Sequence, residues 1–249
     1  DSLSISEQFE SVKATVTEDI ITNTINLTFN IEETEKFFVE RINIYGNNIT
    51  RESVIRNQFF LDEGDPFNEI LANKTINGIK ALNFFRKVDS EILSGKEEKS
   101  KIINITVDEK PTGEIMAGAG FGTTGEVIEF AVKENNYLGK GLAVETNFSL
   151  STDKLTGRFN VRNPNFNNSS KSVNFGLQAS ENDKLSTFGY KSKKIGGLIG
   201  TNFEYLDDFR LGFETSSFVE KIETDTTASA SQKTQEGNYF DTYLNFNFD

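Results

Sequence analysis

The sequence predicts an α+β domain of order β-α-α-β-β followed by an antiparallel transmembrane β-barrel. Three observations carry this. Helical and strand periods are mixed before Pro111-Thr112-Gly113, whereas the texture after it is almost pure period-2 alternation. The alternating runs reach about 9 to 11 residues, the length a tilted strand needs to cross a bilayer, against about 5 to 6 in globular sheets. No apolar run approaches the ~20 residues of a transmembrane helix.

The elements of the first part follow in order. Ser11 to Val16 and Thr24 to Ile31 read as two strands around an Asn23 turn, with no helix of their own, as the hairpin of a truncated domain. Phe38, Ile42 and Ile44 alternate within a strand from Phe37 to Tyr45, and Gly46-Asn47-Asn48 marks a turn. Thr50 is a candidate N-cap, with Glu52 in the first turn and Ile55 and Phe59 on one helical face before Gly64-Asp65-Pro66 ends it. Asn68 caps a second predicted helix, whose stripe runs through Leu71, Thr75, Ile79, Leu82 and Phe85. Strands over Val88 to Leu93 and Ile102 to Val107 complete the set, separated by a Lys-Glu-rich loop. Glu40, Arg41 and that loop read as solvated surface. A three-stranded sheet has two edges, and an edge can accept an extended client strand; Val88, Ser90 and Ile92 lie on one candidate edge.

After Gly113 eight alternating runs follow. Their apolar sets are Ile115, Ala117, Ala119, Phe121; Ile128, Phe130, Val132; Leu142, Val144, Phe148, Leu150; and Leu155, Phe159, Val161. Then come Val173, Phe175, Leu177, Ala179; Ile195, Gly197, Ile199, Thr201, Phe203, Tyr205; Phe209, Leu211, Phe213; and Phe240, Leu244, Phe246, Phe248. The opposite faces hold Glu129, Lys133, Glu145, Asn147, Arg158, Asn160, Arg162, Asn174 and Gln178. A soluble sandwich also alternates, so strand length favours the barrel. Tyr137 to Lys140 and Leu206 to Asp208 are tight turns, and Glu220 to Glu236 is a long polar loop, an asymmetry of rims expected of outer-membrane barrels. Any aromatic girdle must use Phe and Tyr, since Phe occurs 23 times and Trp is absent. On these grounds either eight strands close or they belong to a larger barrel.

Composition narrows the function. A net charge of −12 without a basic stripe argues against a nucleic-acid partner. Cysteine and histidine are both absent, which removes thiol chemistry, the commonest general base and the commonest transition-metal ligand; the expectation is a non-enzymatic protein without cofactor. Asp1 to Glu10 has no signal-peptide pattern, so an exported protein is not expected to start here.

Four stretches of the first part resemble a POTRA domain: Ile44-Tyr45-Gly46-Asn47; Val54-Ile55-Arg56 leading to Glu63-Gly64-Asp65-Pro66-Phe67; Leu82-Asn83-Phe84-Phe85 with Val88; and Val107-Asp108-Glu109. Asn83 stands where the family usually has Gly, a mild departure because Asn tolerates a left-handed backbone. Gly120-Phe121-Gly122, Asn136-Tyr137-Leu138-Gly139-Lys140-Gly141 and Asn163-Pro164-Asn165-Phe166 resemble, in order and spacing, the barrel of the BamA-type outer-membrane assembly factors. The resemblance implies that residues 1–34 end one POTRA domain, 35–112 form the last one, and 113–249 supply the first eight strands, the N-terminal half of a sixteen-stranded barrel. It implies a protein of the outer membrane, with periplasmic POTRA domains, that folds and inserts β-barrel proteins without ATP. Its partners would be unfolded outer-membrane β-barrel proteins, accessory lipoproteins and outer-membrane lipid.

The implied mechanism is a lateral gate at the first barrel strand, built here by Gly113, Ala117, Gly118, Ala119, Gly120, Phe121 and Gly122. The glycines leave that strand poor in packing side chains; curvature or lumen space would also explain them. Glu63 matches a position that contacts an accessory lipoprotein in the family, and otherwise reads as loop surface. Asn163-Pro164 reads as a turn device, Phe166 as packing under the rim, and Arg158 and Arg162 as lumen cations paired with Glu129 or Glu145. The alternatives are a two-partner secretion or translocation transporter of the same superfamily, or a simple barrel anchor whose first and eighth strands pair.

Overall fold

The computed structural model describes residues 10–248 except 11, 22–23, 34, 123–124 and 207–208. The chain divides into two compact units, Asp1–Pro111 and Thr112–Asp249.

The first unit opens with a hairpin of β1 (Val12–Ile21) and β2 (Thr24–Glu33); the Asn23 turn lies outside the described residues. β1 runs past Val16 because Thr17, Glu18 and Asp19 pair with Thr28, Leu27 and Asn26 on exposed surface, where polar side chains carry no burial cost. Next come β3 (Phe38–Tyr45), α1 (Glu52–Arg56), α2 (Glu69–Ala81), β4 (Phe85–Ser94) and β5 (Ser100–Glu109). The sheet order is β3-β5-β4, with β3 parallel and β4 antiparallel to the central β5. A parallel pair needs a crossover connection, and the two helices lie within it. Ile103, Ile105 and Val107 on one face of β5 pack with Val39 and Ile42 of β3 and with Ile55, Ala72 and Ile79 of the helices. Each fully buried side chain of this kind contributes about 1.5–3 kcal/mol. The other face is polar, where Asn43 Nδ2 donates to Asn104 Oδ1 at 2.9 Å.

Local details depart from the periodicity. Asn68 caps α2 as expected, its Oδ1 accepting the amides of Ile70 and Leu71 at 3.0 and 3.1 Å. Thr50 is not the cap of α1: that position is Arg51, without a side-chain bond, and the helix stops at Arg56, so Phe59 lies in the following loop. The apolar stripe of α2 stops at Ala81, because Asn83 at φ +59° turns the chain and Phe85 opens β4. Glu40 is more than solvated surface. It accepts the Ser100 hydroxyl at 2.6 Å and the Lys96 amide at 2.7 Å, bonds that hold its carboxyl below the ordinary glutamate range and tie down the 95–99 loop.

The second unit is one antiparallel sheet of eight strands. They are β6 (Gly113–Gly122), β7 (Gly125–Tyr137), β8 (Leu142–Ser151), β9 (Lys154–Asn163), β10 (Ser172–Lys184), β11 (Tyr190–Leu206), β12 (Phe209–Thr224) and β13 (Gly237–Phe248). Each pairs with its neighbour in sequence, and among the described residues β6 and β13 do not pair, so the sheet is not closed. One face is apolar and exposed, from Ile115 at 75% to Phe240 at 71%. An exposed apolar surface of that extent marks an interaction face, and alternation with a polar face over such long strands makes it the lipid side. On β11 the band from Ile195 to Tyr205 spans about 23 Å at a 3.3 Å rise and 45° tilt, close to the ~25 Å apolar belt of outer-membrane barrels. Among the described residues no helix is long and apolar enough to cross a membrane.

Four expectations for this half are corrected. β12 continues through Glu220 to Thr224, so the long connection is residues 225–236 and contains a short helix, Ala230–Lys233. Its rim also carries the tight turn at 152–153, while the opposite rim carries the eight-residue connection 164–171; loop length therefore does not separate the rims cleanly. No ion pair joins Arg158 or Arg162 to Glu129 or Glu145 among the described residues: Glu145 instead accepts from Asn147 at 2.6 Å and Glu129 from Ser149 at 3.3 Å. Phe166 is 52% exposed instead of packed under the rim.

Candidate functional site

β6 pairs with β7 along one side only, with Ala117 opposite Phe130, Gly118 opposite Glu129, Ala119 opposite Ile128 and Gly122 opposite Gly125. Ala117, Ala119 and Phe121 share the apolar face, and Gly118 and Gly120 lie on the polar one. A Cβ added at Gly118 or Gly120 would meet nothing within 4 Å. Crowding therefore does not demand glycine there, and its effect is to leave the strand bare of cross-strand packing.

The root of β6 is built differently. Thr112 Oγ1 donates to Glu134 Oε1 at 2.5 Å, and the Thr112 carbonyl accepts both the backbone and the side-chain amide of Asn135 at 3.2 Å. At Gly113 a Cβ would lie 2.9 Å from Glu134 Oε2, so a larger residue there would push that carboxylate aside. Glu134 Oε1 also accepts the Asn136 amide at 2.7 Å, and the buried Asn136 side chain accepts the Gly141 amide at 2.8 Å. Leu138, Gly139 and Gly141 take positive φ inside that clamp, so the Asn136 to Gly141 motif is a locked turn fastening the start of the edge strand.

In the three-stranded sheet of the first unit only one edge is open among the described residues. The segment 63–67 folds back along β3: Phe67 N donates to Phe37 O, Gly64 N to Val39 O and Val39 N to Asp65 O, at 2.7 to 2.8 Å. Glu63 Oε1 accepts the next amide, Ile42 N, at 3.0 Å, and Arg56 Nη2 donates to Ile42 O at 3.2 Å. β4 has no such cover. Val88, Ser90 and Ile92 pair with Val107, Ile105 and Ile103 and so face the helix layer; Val88 packs against the core, and Ile92 is 40% exposed.

Glu109 was not singled out by sequence reasoning except as the end of a motif. Its carboxylate accepts the amides of Asn48 and Ile49 at 2.9 Å and of Thr50 at 2.6 Å, filling the donors that precede α1. Burial pushes this carboxyl up, but the amides and the Thr50 hydroxyl outweigh it and hold it below the ordinary glutamate range. Gly46, at φ +86°, is the glycine that makes this turn possible, since a Cβ there would sit 2.0 Å from the Val107 carbonyl oxygen.

An α+β repeat domain with one open edge, followed by an open antiparallel sheet with a lipid face, defines a class of protein in which POTRA domains precede an outer-membrane β-barrel. Residues 37–110 match the POTRA family, described as surface antigen variable number repeat. The outer membrane protein assembly factor BamA of Neisseria meningitidis serogroup B is 27% identical over 199 residues, covering 77% of this chain and 25% of that protein. The crystal structure of BamA from Haemophilus ducreyi lacking POTRA domains 1–3 superposes with a TM-score of 0.70 at 18% identity, covering 97% of this chain and 48% of that one. CdiB from Escherichia coli gives 0.55 at 14% identity, over 98% and 47%. The chain is BamA-like and corresponds to part of such a protein, spanning about a quarter of the length of the curated relative. It is an outer-membrane protein whose POTRA domain lies in the periplasm.

Proposed function

We propose that this chain forms the last POTRA domain (35–112), the end of a preceding one (1–34) and the first half of the barrel (113–249) of a machine that folds and inserts outer-membrane β-barrel proteins. The observation that carries this reading is the build of β6: bolted at its root by Glu134 and Asn135, and bare along Gly118 and Gly120. Such a strand can part from a neighbour at its far end while keeping its anchor, and the backbone groups exposed by that parting can template a client strand. The β4 edge would receive extended client segments by strand addition, with accessory lipoproteins binding elsewhere on the POTRA surface, Glu63 included. No residue is assigned a catalytic role.

The reading as a translocation transporter rests on the likeness to CdiB, which is the lower of the two superpositions. One experiment separates them. In the full-length protein, Ala117→Cys or Ala119→Cys is cross-linked to a cysteine in the strand facing β6 across the seam, and insertion of an unfolded barrel client into proteoliposomes is measured. Insertion should stop on locking and return on reduction, while a disulfide between β7 and β8 (Phe130→Cys with Phe148→Cys) should leave it intact. A transporter passes its client through the pore and would keep working with the seam locked.

A further inference from the structure

We propose that Lys101 clasps the preceding domain onto this one: it holds the carboxylate of Glu10, at the entry to the β1–β2 hairpin, beside an aromatic seat of Phe37 and Phe67, so that the two periplasmic domains move as one body. The proposal rests on the reading of residues 1–34 as the end of a preceding domain and is independent of the assembly function.

The hairpin is gripped at both of its ends. Val12, at the start of β1, pairs with Glu33, at the end of β2, so the strand entering the hairpin and the strand leaving it meet at one base. The leaving strand is joined to β3 by the short connection 34–37. A single covalent connection of this kind leaves two bodies free to rotate about its backbone dihedrals. The entering side supplies a second attachment through Glu10, two residues before β1. Its carbonyl oxygen accepts the Glu69 amide at 3.0 Å, and its carboxylate is ion-paired with Lys101 Nζ. Asn68 takes the amides of Ile70 and Leu71, so Glu10 completes the donors that the domain's own cap leaves over in the first turn of α2. Two attachments, one on each strand, remove most of the rotation that one would allow.

The aromatic seat sets this ion pair apart from its neighbours. Lys101 Nζ lies 4.4 Å from the Phe37 ring centroid and 5.0 Å from that of Phe67. Phe67 is fully buried, Phe37 packs against the same core, and the Phe67 amide is bonded to the Phe37 carbonyl, so the domain itself fixes both rings. A cation over ring faces is attracted more strongly the more it is desolvated. The Lys101 and Glu10 side chains are 19% and 24% exposed, whereas in every other ion pair of the first unit among the described residues both side chains are at least 39% exposed. Exposed pairs contribute little, so this is the pair of the unit whose charge carries weight. The anchor of Lys101 does not depend on the preceding segment, because β5 and the two rings hold the ammonium group in place. Among the described residues Glu10 is its only carboxylate partner. The lysine is thus preorganised for a carboxylate that the preceding segment brings.

The test is pulsed electron paramagnetic resonance of the full-length protein with spin labels at Thr28→Cys in the hairpin and Lys74→Cys in α2, both exposed positions. One narrow distance distribution is expected. Lys101→Met, which keeps an aliphatic stem on the rings, and Glu10→Gln should each broaden it about twofold, because either leaves the linker as a hinge. Lys101→Arg should keep it narrow. A second label pair inside the last domain, Lys74→Cys with Glu91→Cys, should stay narrow in every variant and so show that the domain remains folded. Should Lys101→Met disturb that pair, Glu10→Gln, which changes nothing in the domain's core, decides alone. A distribution already broad in the wild type, one that stays narrow in Glu10→Gln, or one that broadens in Lys101→Arg would each overturn the clasp. Hydrogen exchange separates this failure from that of the domain reading. Slow amides along β1 and β2 mean a folded preceding domain, with or without the clasp, whereas fast exchange there would remove that domain and the clasp together.

Discussion

Glu63 Oε1 accepts the Ile42 amide at 3.0 Å, so a side chain supplies the next hydrogen bond after the backbone pairing of residues 63–67 along β3. With Arg56 on the Ile42 carbonyl, the outer side of β3 is satisfied from Phe37 to Ile42 and cannot accept another strand there.

Replacing Glu63 with Ala should therefore destabilise the domain itself. A hydrogen bond to a partly exposed charged group is worth about 1 kcal/mol, which in a domain of this size lowers Tm by about 4–8 °C. Thermal unfolding of residues 35–112 by circular dichroism should show this drop for Glu63→Ala and a smaller one for Glu63→Gln, which keeps an acceptor. An unchanged Tm would leave Glu63 as a surface anion only.

Client binding should choose between the edges. In hydrogen exchange of the POTRA domain with an extended amphipathic peptide, amides of β4 between Arg86 and Leu93 should slow while those of β3 stay unchanged. Protection appearing on β3 would contradict the covered edge.

The Glu109 carboxylate makes acid stability specific. Its pKa is lower folded than unfolded, so its contribution is present above the unfolded value, near the model-peptide 4.5, and is lost as pH falls through the lower folded value. Denaturant unfolding below about pH 4.5 should show a steeper acid loss for the wild type than for Glu109→Gln, with the Gln variant less stable at pH 7. Parallel pH profiles would show that the three amides do not discriminate the charged form.

Gly118→Val and Gly120→Val test whether a bare strand matters. Both side chains have room, and replacing a strand glycine should add roughly 0.5–1 kcal/mol of strand stability. In the full-length protein the heat-modifiable gel shift should move to higher temperature while client insertion falls. Full insertion by a stiffened strand would reduce these glycines to lumen space.

What was legible in the sequence was what depends on local pattern. Period-2 alternation marks all eight strands of the sheet and their lipid face, Asn68 announces its helix, and Asn83 holds the left-handed φ expected of a glycine substitute. The features that were missed need two distant segments at once. Nothing in the alternation of β3 says that Glu63 will complete its edge, and Thr50 looks like a cap until Glu109, 59 residues away, takes its amide. Arg158 and Glu145 share a face, yet contact depends on inter-strand register.

The neighbour-to-neighbour order of the sheet has a kinetic consequence. Every pairing from Gly113 to Phe248 joins consecutive strands, and the longest gap between partners is residues 225–236. Loop-closure entropy rises only slowly with length and is small at each of these steps, so the sheet can assemble one hairpin after another at low contact order, its growing margin always the newest strand. β6 is the exception, since it is the oldest strand and its outer side has no sequential partner. Whatever strand meets it must return across the whole meander, so closing that seam is the step of highest contact order and the slowest in the maturation of the barrel.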